Sequence, residues 1–147
     1  IAMINHDLSY KYARLRERGY KSVIHLRDLD YQAVEYASEL SSGAGMAAMQ
    51  NLLKDNPPDA VFAVSDTLAA GALRAIQQAG LRVPEDIAVV GFDGTELAEM
   101  VSLTTIEQPS RDIGRKAVDL LLNKIDNPDA PTERVMMDWR FISRAST

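Results

Sequence analysis

The chain contains no cysteine. That removes disulfides and thiolate metal sites, and it leaves the redox compartment open, with the cytoplasm allowed. Long apolar runs are missing too: nothing approaches the roughly 18 consecutive apolar residues of a membrane-spanning helix, so no membrane partner is expected. The opening Ile1-Ala2-Met3-Ile4 has neither the charged nor the apolar region of a secretory signal. It reads as a strand entered midway, and the chain is therefore expected to be a segment of something longer. Positive charge is in short supply, with 16 Lys and Arg against 21 Asp and Glu and a formal net charge of -5. Binding to a phosphate backbone draws most of its affinity from clustered Lys and Arg, so any DNA contact is expected to lie elsewhere.

Catalytic motifs are absent as well. The two histidines, His6 and His25, lie far apart in sequence, and there is no H-E-x-x-H, C-x-x-C or G-x-S-x-G and no glycine-rich phosphate loop. Gly43-Ala44-Gly45 comes nearest, but it lacks a third glycine, and a flexible entry into a helix is the better account of it. An enzyme needs positioned acids, bases, nucleophiles or metal ligands. The expectation is a binding domain that is not an enzyme and uses neither metal nor cofactor.

Against these absences, 46% apolar and 25% charged residues make an ordinary globular composition. A chain of 147 residues can bury roughly two thirds of its unfolded surface in one compact unit. Ile1 to Ile4, closed by Asn5-His6-Asp7, is the first strand. From Ser9 the spacing turns helical, with Tyr12, Leu15, Gly19, Val23 and Leu26 on the apolar face and Arg14, Arg16, Glu17, Arg18 and Lys21 largely off it. Gln32 to Tyr36 is assigned as a second strand. A serine then caps a helix whose Met46, Met49, Leu52 and Leu53 recur at helical spacing before Pro57-Pro58 ends it. Ala60 to Val64 is apolar throughout, as in a parallel strand covered on both faces. Asp66 is read as the cap of the following helix, Leu68, Ala72, Leu73 and Ile76 as its core face, and Gly80 as its left-handed stop before strand Ile87 to Gly91.

Four alternations of strand and helix with short connections predict an α/β fold, a doubly wound parallel sheet with right-handed crossovers. The rhythm then changes. Leu97 to Val101 is a short helical excursion, and Thr104 to Gln108 a brief strand. A long amphipathic helix follows, capped by Ser110, with Ile113, Ala117, Leu120, Leu121 and Ile125 on its apolar face and a stop at Asn127-Pro128. Arg134 to Ile142 is the last strand.

Ligands of such sheets bind at the carboxyl ends of the strands, here Asn5 to Asp7, Tyr36 to Leu40, Ser65-Asp66 and Phe92 to Gly94. Ser65 and Asp93 fit two roles equally by position, stabilising their own turns or bonding the hydroxyls of a small ligand. The planar fork of Arg16 suits vicinal hydroxyls or a carboxylate, although an isolated arginine on a helix is more often plain surface. His6 is weighed in the same way.

The run from Pro58-Asp59-Ala60 through Ser65-Asp66-Thr67-Leu68-Ala69-Ala70-Gly71-Ala72 to Ile76 resembles a pattern of the lactose-repressor (LacI/GalR) family, P-x-A followed by an apolar strand and N-D-x-x-A-x-G-A. Gly80-Leu81-Arg82-Val83-Pro84-Glu85-Asp86, continued by Gly91-Phe92-Asp93, is similar to that family's G-L-x-V-P-x-D and G-F-D. Leu103-Thr104-Thr105-Ile106-Glu107-Gln108-Pro109 resembles its L-T-T to Q-P stretch, Arg16 with Gly19-Tyr20 its R-x-x-G-Y, and Arg144-Ala145-Ser146-Thr147 its closing R-x-S-T. Order and spacing agree over essentially the whole chain.

In that family a helix-turn-helix head precedes a two-lobed effector domain of periplasmic-binding-protein-like fold, three layers α/β/α, with a sugar or nucleobase between the lobes. The resemblance implies that residues 1–103 form the second lobe, 104–132 the crossover and a helix of the first lobe, and 133–147 the return strand and tail. The long helix would then leave its apolar face uncovered. The resemblance further implies that Arg16 grips ligand, that Asp93 accepts hydrogen bonds from effector hydroxyls or ring nitrogens, that Gln108 is a crossover glutamine near the pocket, and that Tyr10 is a variable ligand-facing position. Ser65 stands where many members have asparagine, and Leu40 where several present an aromatic platform. Loss of that platform hurts a flat aromatic ligand most, so a sugar effector is favoured over a purine. Dimer contacts are implied for the helix over 67–79 and the segment 97–101. The function implied is effector sensing that controls DNA binding by a head outside this sequence; the alternative is the sugar-binding component of a transport system.

Overall fold

The computed structural model describes residues 1–29 and 33–147. Strands β1 (Ala2–Asn5), β2 (Ala33–Tyr36), β3 (Ala60–Ala63), β4 (Ala88–Asp93), β5 (Thr104–Glu107) and β6 (Arg140–Ile142) make one sheet in the order β2-β1-β3-β4-β5-β6. All neighbours are parallel except β5 and β6. Helices α1 (Lys11–Leu26), α2 (Ser42–Leu52), α3 (Asp66–Gln78) and α4 (Glu96–Met100) connect the first five strands, and α5 (Ser110–Asp126) lies between β5 and β6. The doubly wound parallel α/β architecture expected from the alternation is therefore present. Gln32, the first residue of the expected second strand, lies outside the described residues.

Strand geometry separates the two helical layers. Successive residues of a strand point to opposite faces, and on β4 the ring of Phe92 meets Arg16 of α1, whereas a Cβ on Gly91 would strike Asp66 and Ala69 of α3. So α1 covers one face and α3 the other. The core runs between them: Met3 and Ile4 of β1, Val61 beside Val89, and Leu68 and Ile76 of α3 are fully buried. Each such aliphatic side chain contributes roughly 1.5–3 kcal/mol relative to exposure.

Helices α2 and α3 cross at very short range because two glycines meet there. A Cβ on Gly45 would lie 2.2 Å from the Leu68 carbonyl oxygen, and one on Gly71 would lie 2.0 Å from that of Ser42. Gly45 is thus a packing residue, and the flexible-entry reading of Gly43-Ala44-Gly45 is corrected. Ser41 caps α2 through Ala44 N–H at 3.1 Å, and Gly80 ends α3 at φ +76°, both as expected. The cap of α3 is Ser65, which accepts from Leu68 N–H at 3.2 Å; Asp66, read as the cap, is turned to another task described below. Ser110 is the first helical residue of α5 and supplies no side-chain cap.

Two further expectations fail for physical reasons. Helix α1 buries Ala13, Glu17, Tyr20 and Ile24, one stripe round from the expected face, and leaves Leu15, Val23 and Leu26 exposed. The small Ala13 allows Asn5 at the end of β1 to reach its carbonyl at 3.3 Å, and the charge of Glu17 is met by Asn5 and Lys21 at 2.8 and 2.6 Å. A buried charge with partners is tolerated. The last strand spans only Arg140–Ile142 instead of Arg134 to Ile142. Its partner β5 pairs from Thr105 to Glu107 with Ile142 to Arg140, so residues before Arg140 have no ladder to join.

The closing tail is structural. Ser146 is buried; its hydroxyl donates to Val89 O at 2.6 Å and accepts from Thr104 N–H at 2.8 Å, while Val89 N–H donates to the Ser146 carbonyl. Arg144 donates to Leu103 O at 2.8 Å. The R-x-S-T stretch thereby closes the amino ends of β4 and β5.

Candidate ligand-binding site

The carboxyl ends of β1, β3, β4 and β5 converge beside the first turns of α1, and Arg16 reaches across them from that helix. Its guanidinium donates through Nη1 to the Val64 carbonyl at the end of β3. Through Nη2 it approaches Asp93 Oδ1 at 3.4 Å. Its plane stacks 3.7 Å from the centre of the Phe92 ring, with the Tyr12 ring 5.2 Å away. A guanidinium held by stacking on one side and hydrogen bonds on the other loses little further entropy when it binds a ligand. Burial lowers the Arg16 pKa from its ordinary value, against the opposing pull of Asp93.

Asp93 ends β4 with φ +121°, a conformation that costs a non-glycine residue about 1–3 kcal/mol. The next residue, Gly94, is also left-handed, and a Cβ there would sit 2.5 Å from the side chain of Glu107. Asp66 fixes this turn from below. Fully buried, it accepts Thr95 N–H at 2.7 Å and Thr95 O–H at 2.9 Å on one oxygen and Thr105 O–H at 2.6 Å on the other. The strain at Asp93 is therefore carried by bonds to α3 and β5. Gln108 Nε2 donates to Asp93 Oδ1 at 3.0 Å. Among the described residues nothing donates to Oδ2, which leaves an acceptor facing the crevice. Burial raises the Asp93 pKa against the lowering influence of Arg16 and the Gln108 bond. An open cleft of about 560 Å3 adjoins Asp93, Gln108 and Arg111.

The structure thus brings Arg16, Asp93 and Gln108 into one hydrogen-bonded group. Ser65 lies one strand end away, largely buried, with its hydroxyl engaged as the α3 cap. Tyr10 is the half-exposed N-cap residue of α1, its ring 5.0 Å from that of His6. Leu40 is exposed in the bend before α2 and shares no bond with the Arg16 group among the described residues. Sequence reasoning passed over Tyr12 and Phe92 as site residues. Both had a signal: Tyr12 precedes Arg16 by four residues on a helix and so shares its face, and Phe92 abuts Asp93 at a strand end. No group of three His, Cys, Asp or Glu side chains could hold a metal ion among the described residues.

A family model described as a periplasmic binding protein-like domain matches residues 1–147. The chain belongs to the periplasmic binding protein-like domain family. Within this family its homologues are LacI-type regulators, as the sequence motifs implied. The ribose operon repressor of Escherichia coli is 36% identical over 151 residues, covering 99% of this chain and 46% of the repressor. The transcriptional repressor CytR of Escherichia coli is 44% identical over 107 residues, 71% of this chain and 31% of its own length. A solved complex of the transcriptional regulator CelR with cellobiose superposes with a TM-score of 0.90 at 32% identity, covering 99% of this chain and 46% of that one. The chain therefore spans about half the length of the relatives it matches. These relatives are repressors and regulators, which are not enzymes, and no helix among the described residues is long and apolar enough to cross a membrane.

Proposed function

We propose that this periplasmic binding protein-like chain is the effector-sensing part of a sugar-responsive transcription regulator, and that Arg16, Asp93 and Gln108 are the polar floor of its effector site. The observation that carries the reading is the convergence of these three groups on one carboxylate, Asp93, at the strand ends. A guanidinium that donates, a carboxylate that accepts and an amide that does both complement the hydroxyl edge of a sugar. Tyr10 belongs to the rim, Ser65 lies behind the floor as a cap within reach of the crevice, and Leu40 marks the side where an aromatic platform is lacking.

Residues 1–103 constitute one lobe, 104–132 the crossover and a helix of the other lobe, and 133–147 the return strand and tail. The effector lies between the lobes and favours one arrangement of them, which alters the DNA binding of a helix-turn-helix head outside this sequence. The protein acts in the cytoplasm, makes and breaks no bond in its effector, and needs no cofactor. A homodimer forms through the helix over 67–79 and the segment 97–101; an open depression of about 530 Å3 between them is lined by Ala70, Leu73, Gln77, Leu81, Val83 and Val101. The transport alternative has no support in relatives named as repressors.

Calorimetry of the full-length protein with a panel of sugars tests the site. Asp93→Ala and Arg16→Ala are each expected to weaken binding by at least about tenfold, since each removes a charged hydrogen-bonding group from the proposed floor of the site. Unchanged affinity in both variants would remove them from the site, and turnover of a sugar abolished by Asp93→Ala would replace sensing with catalysis.

A further inference from the structure

We infer that Asp66, although fully buried and away from the cleft, sets the affinity of the effector site by holding Asp93 in the backbone conformation that presents its carboxylate. The inference rests on the effector-site reading above and adds Asp66 to it as a positioning residue.

Asp93 ends β4 at φ +121° and Gly94 follows at φ +70°. A residue with a side chain holds such a φ only where its surroundings impose it. The bonds of Asp66 fall on the two residues after Asp93. One carboxylate oxygen takes both donors of Thr95, at 2.7 and 2.9 Å. The other takes the Thr105 hydroxyl at 2.6 Å, and Thr105 Oγ1 in turn accepts Gly94 N–H at 3.3 Å. One carboxylate thereby ties the turn to α3 and to β5. Gly91 makes room for it under β4, since a Cβ at that position would lie 2.5 Å from Asp66 Oδ1.

Asp93 then divides between two conformers. In the held one, Gln108 meets its Oδ1 at 3.0 Å, Arg16 approaches at 3.4 Å, and Asp93, Gly94 and Thr95 line one open cleft with Gln108. In a turn relaxed to negative φ the carboxylate leaves both partners, and binding must first restore the turn. Apparent affinity falls with the fraction of molecules in the competent conformer. Without the bonds of Asp66, strain of the size that Asp93 carries leaves roughly a tenth or less of the molecules in it. Asp66 reaches the ligand through Asp93 alone, so its effect follows the hydroxyl that Asp93 accepts.

The test has two readouts. In this chain without ligand, the NMR coupling between the amide and α protons of Asp93 reports its φ. Asp66→Ala should move that coupling from the small value of a positive φ to the large value of an extended residue, while Asp66→Asn, which keeps an acceptor for Thr95, should leave it in place. In the longer regulator proposed above, calorimetry with ribose, glucose, galactose and their monodeoxy analogues supplies the second readout. Asp66→Ala should weaken sugars that carry the hydroxyl bonded by Asp93 about tenfold and spare the analogue that lacks it. Added to Asp93→Ala, it should cost less than about twofold. Thr105→Val is a milder change that should shift both readouts the same way, by about threefold in affinity, and it decides the matter if Asp66→Ala does not fold. An unchanged Asp93 coupling overturns the positioning role. So does equal weakening of every sugar, the deoxy analogue and the Asp93→Ala background included, because it assigns Asp66 to stability alone. Failure of all the sugars to bind overturns the sugar-sensing reading instead, and the coupling then decides the role of Asp66.

Discussion

Helices α3 and α5 are both amphipathic, yet they meet opposite fates. Helix α3 buries seven of its residues, from Asp66 to Ile76, against the sheet and α2. Helix α5, four residues longer, buries none; Leu121 is 60% and Ile125 63% exposed. Past it, Met136 and Trp139 are 79% and 64% exposed. Soluble proteins rarely leave so much contiguous apolar surface uncovered. An amphipathic pattern records that a helix has a partner, and the fold determines whether that partner is within the same stretch of chain. Here α3 finds its cover in the sheet and α2, while α5 and the segment after it leave their apolar side chains exposed.

The contrast is broken most directly by large-to-small substitutions. Leu68→Ala empties a fully buried position and is expected to cost about 2–5 kcal/mol in urea denaturation of this chain. Leu121→Ser should change stability by no more than about 0.5 kcal/mol and should improve solubility. A loss at Leu121 comparable to that at Leu68 would mean that α5 is packed in solution by this same chain. Repeating Leu121→Ser in the longer regulator proposed above sharpens the comparison, because a marked destabilisation there and none in this chain would place the surface that covers α5 in the added residues.

Next in size is the junction between the two regions. Asp66 ties α3 to the turn after β4 and to β5 through three bonds. Asp66→Ala strands the buried Thr105 hydroxyl and takes the acceptor from Thr95 N–H and O–H, for an expected loss of about 3 kcal/mol. Thr105→Val removes one of these bonds and should cost roughly 1 kcal/mol. If the two variants cost the same, the carboxylate is not the centre of the network.

The same division explains what could be read without coordinates. The succession of strands and helices, the serine cap of α2 and the Gly80 stop follow from periodicity and turn chemistry, which act over a few residues, whereas the order of the strands in the sheet comes from the fold. The stripe that α1 buries was not legible: Leu15, Val23 and Leu26 satisfy the helical period as well as Ala13, Tyr20 and Ile24 do. What decides is Glu17 finding Asn5 across twelve positions of sequence, a long-range bond that no local pattern contains. Asp66 was misassigned for the same reason, since its neighbour Ser65 caps equally well and its true partners are Thr95 and Thr105. At the candidate site, Arg16 and Asp93 were singled out by position and by the family motifs. Their contact, 77 positions apart in sequence, and the stacking on Phe92 required the fold.

The smallest effects separate the acids on the two sides of the junction. Glu17 belongs to the covered region. Burial alone would raise its pKa, but the bonds from Lys21, Asn5 and Tyr36 outweigh burial and hold it below the ordinary glutamate value. Its stabilising contribution is therefore present above the unfolded pKa near 4.5 and lost as pH falls through the folded value. Asp93, at the crevice, is shifted the other way by burial. Its contribution is present below the unfolded pKa near 3.8 and lost as pH rises through the folded value, so the ionised form costs the fold stability at neutral pH. Urea midpoints measured across the acid range should accordingly diverge: Glu17→Gln lowers stability at pH 7 and flattens the fall below pH 4.5, whereas Asp93→Asn raises stability at pH 7 relative to acid pH. Asparagine also tolerates positive φ better than most residues, so that second variant isolates charge from backbone strain. A loss of stability in Asp93→Asn at neutral pH would make Asp93 a structural anchor like Glu17, and would count against its proposed role as the acceptor of the effector site.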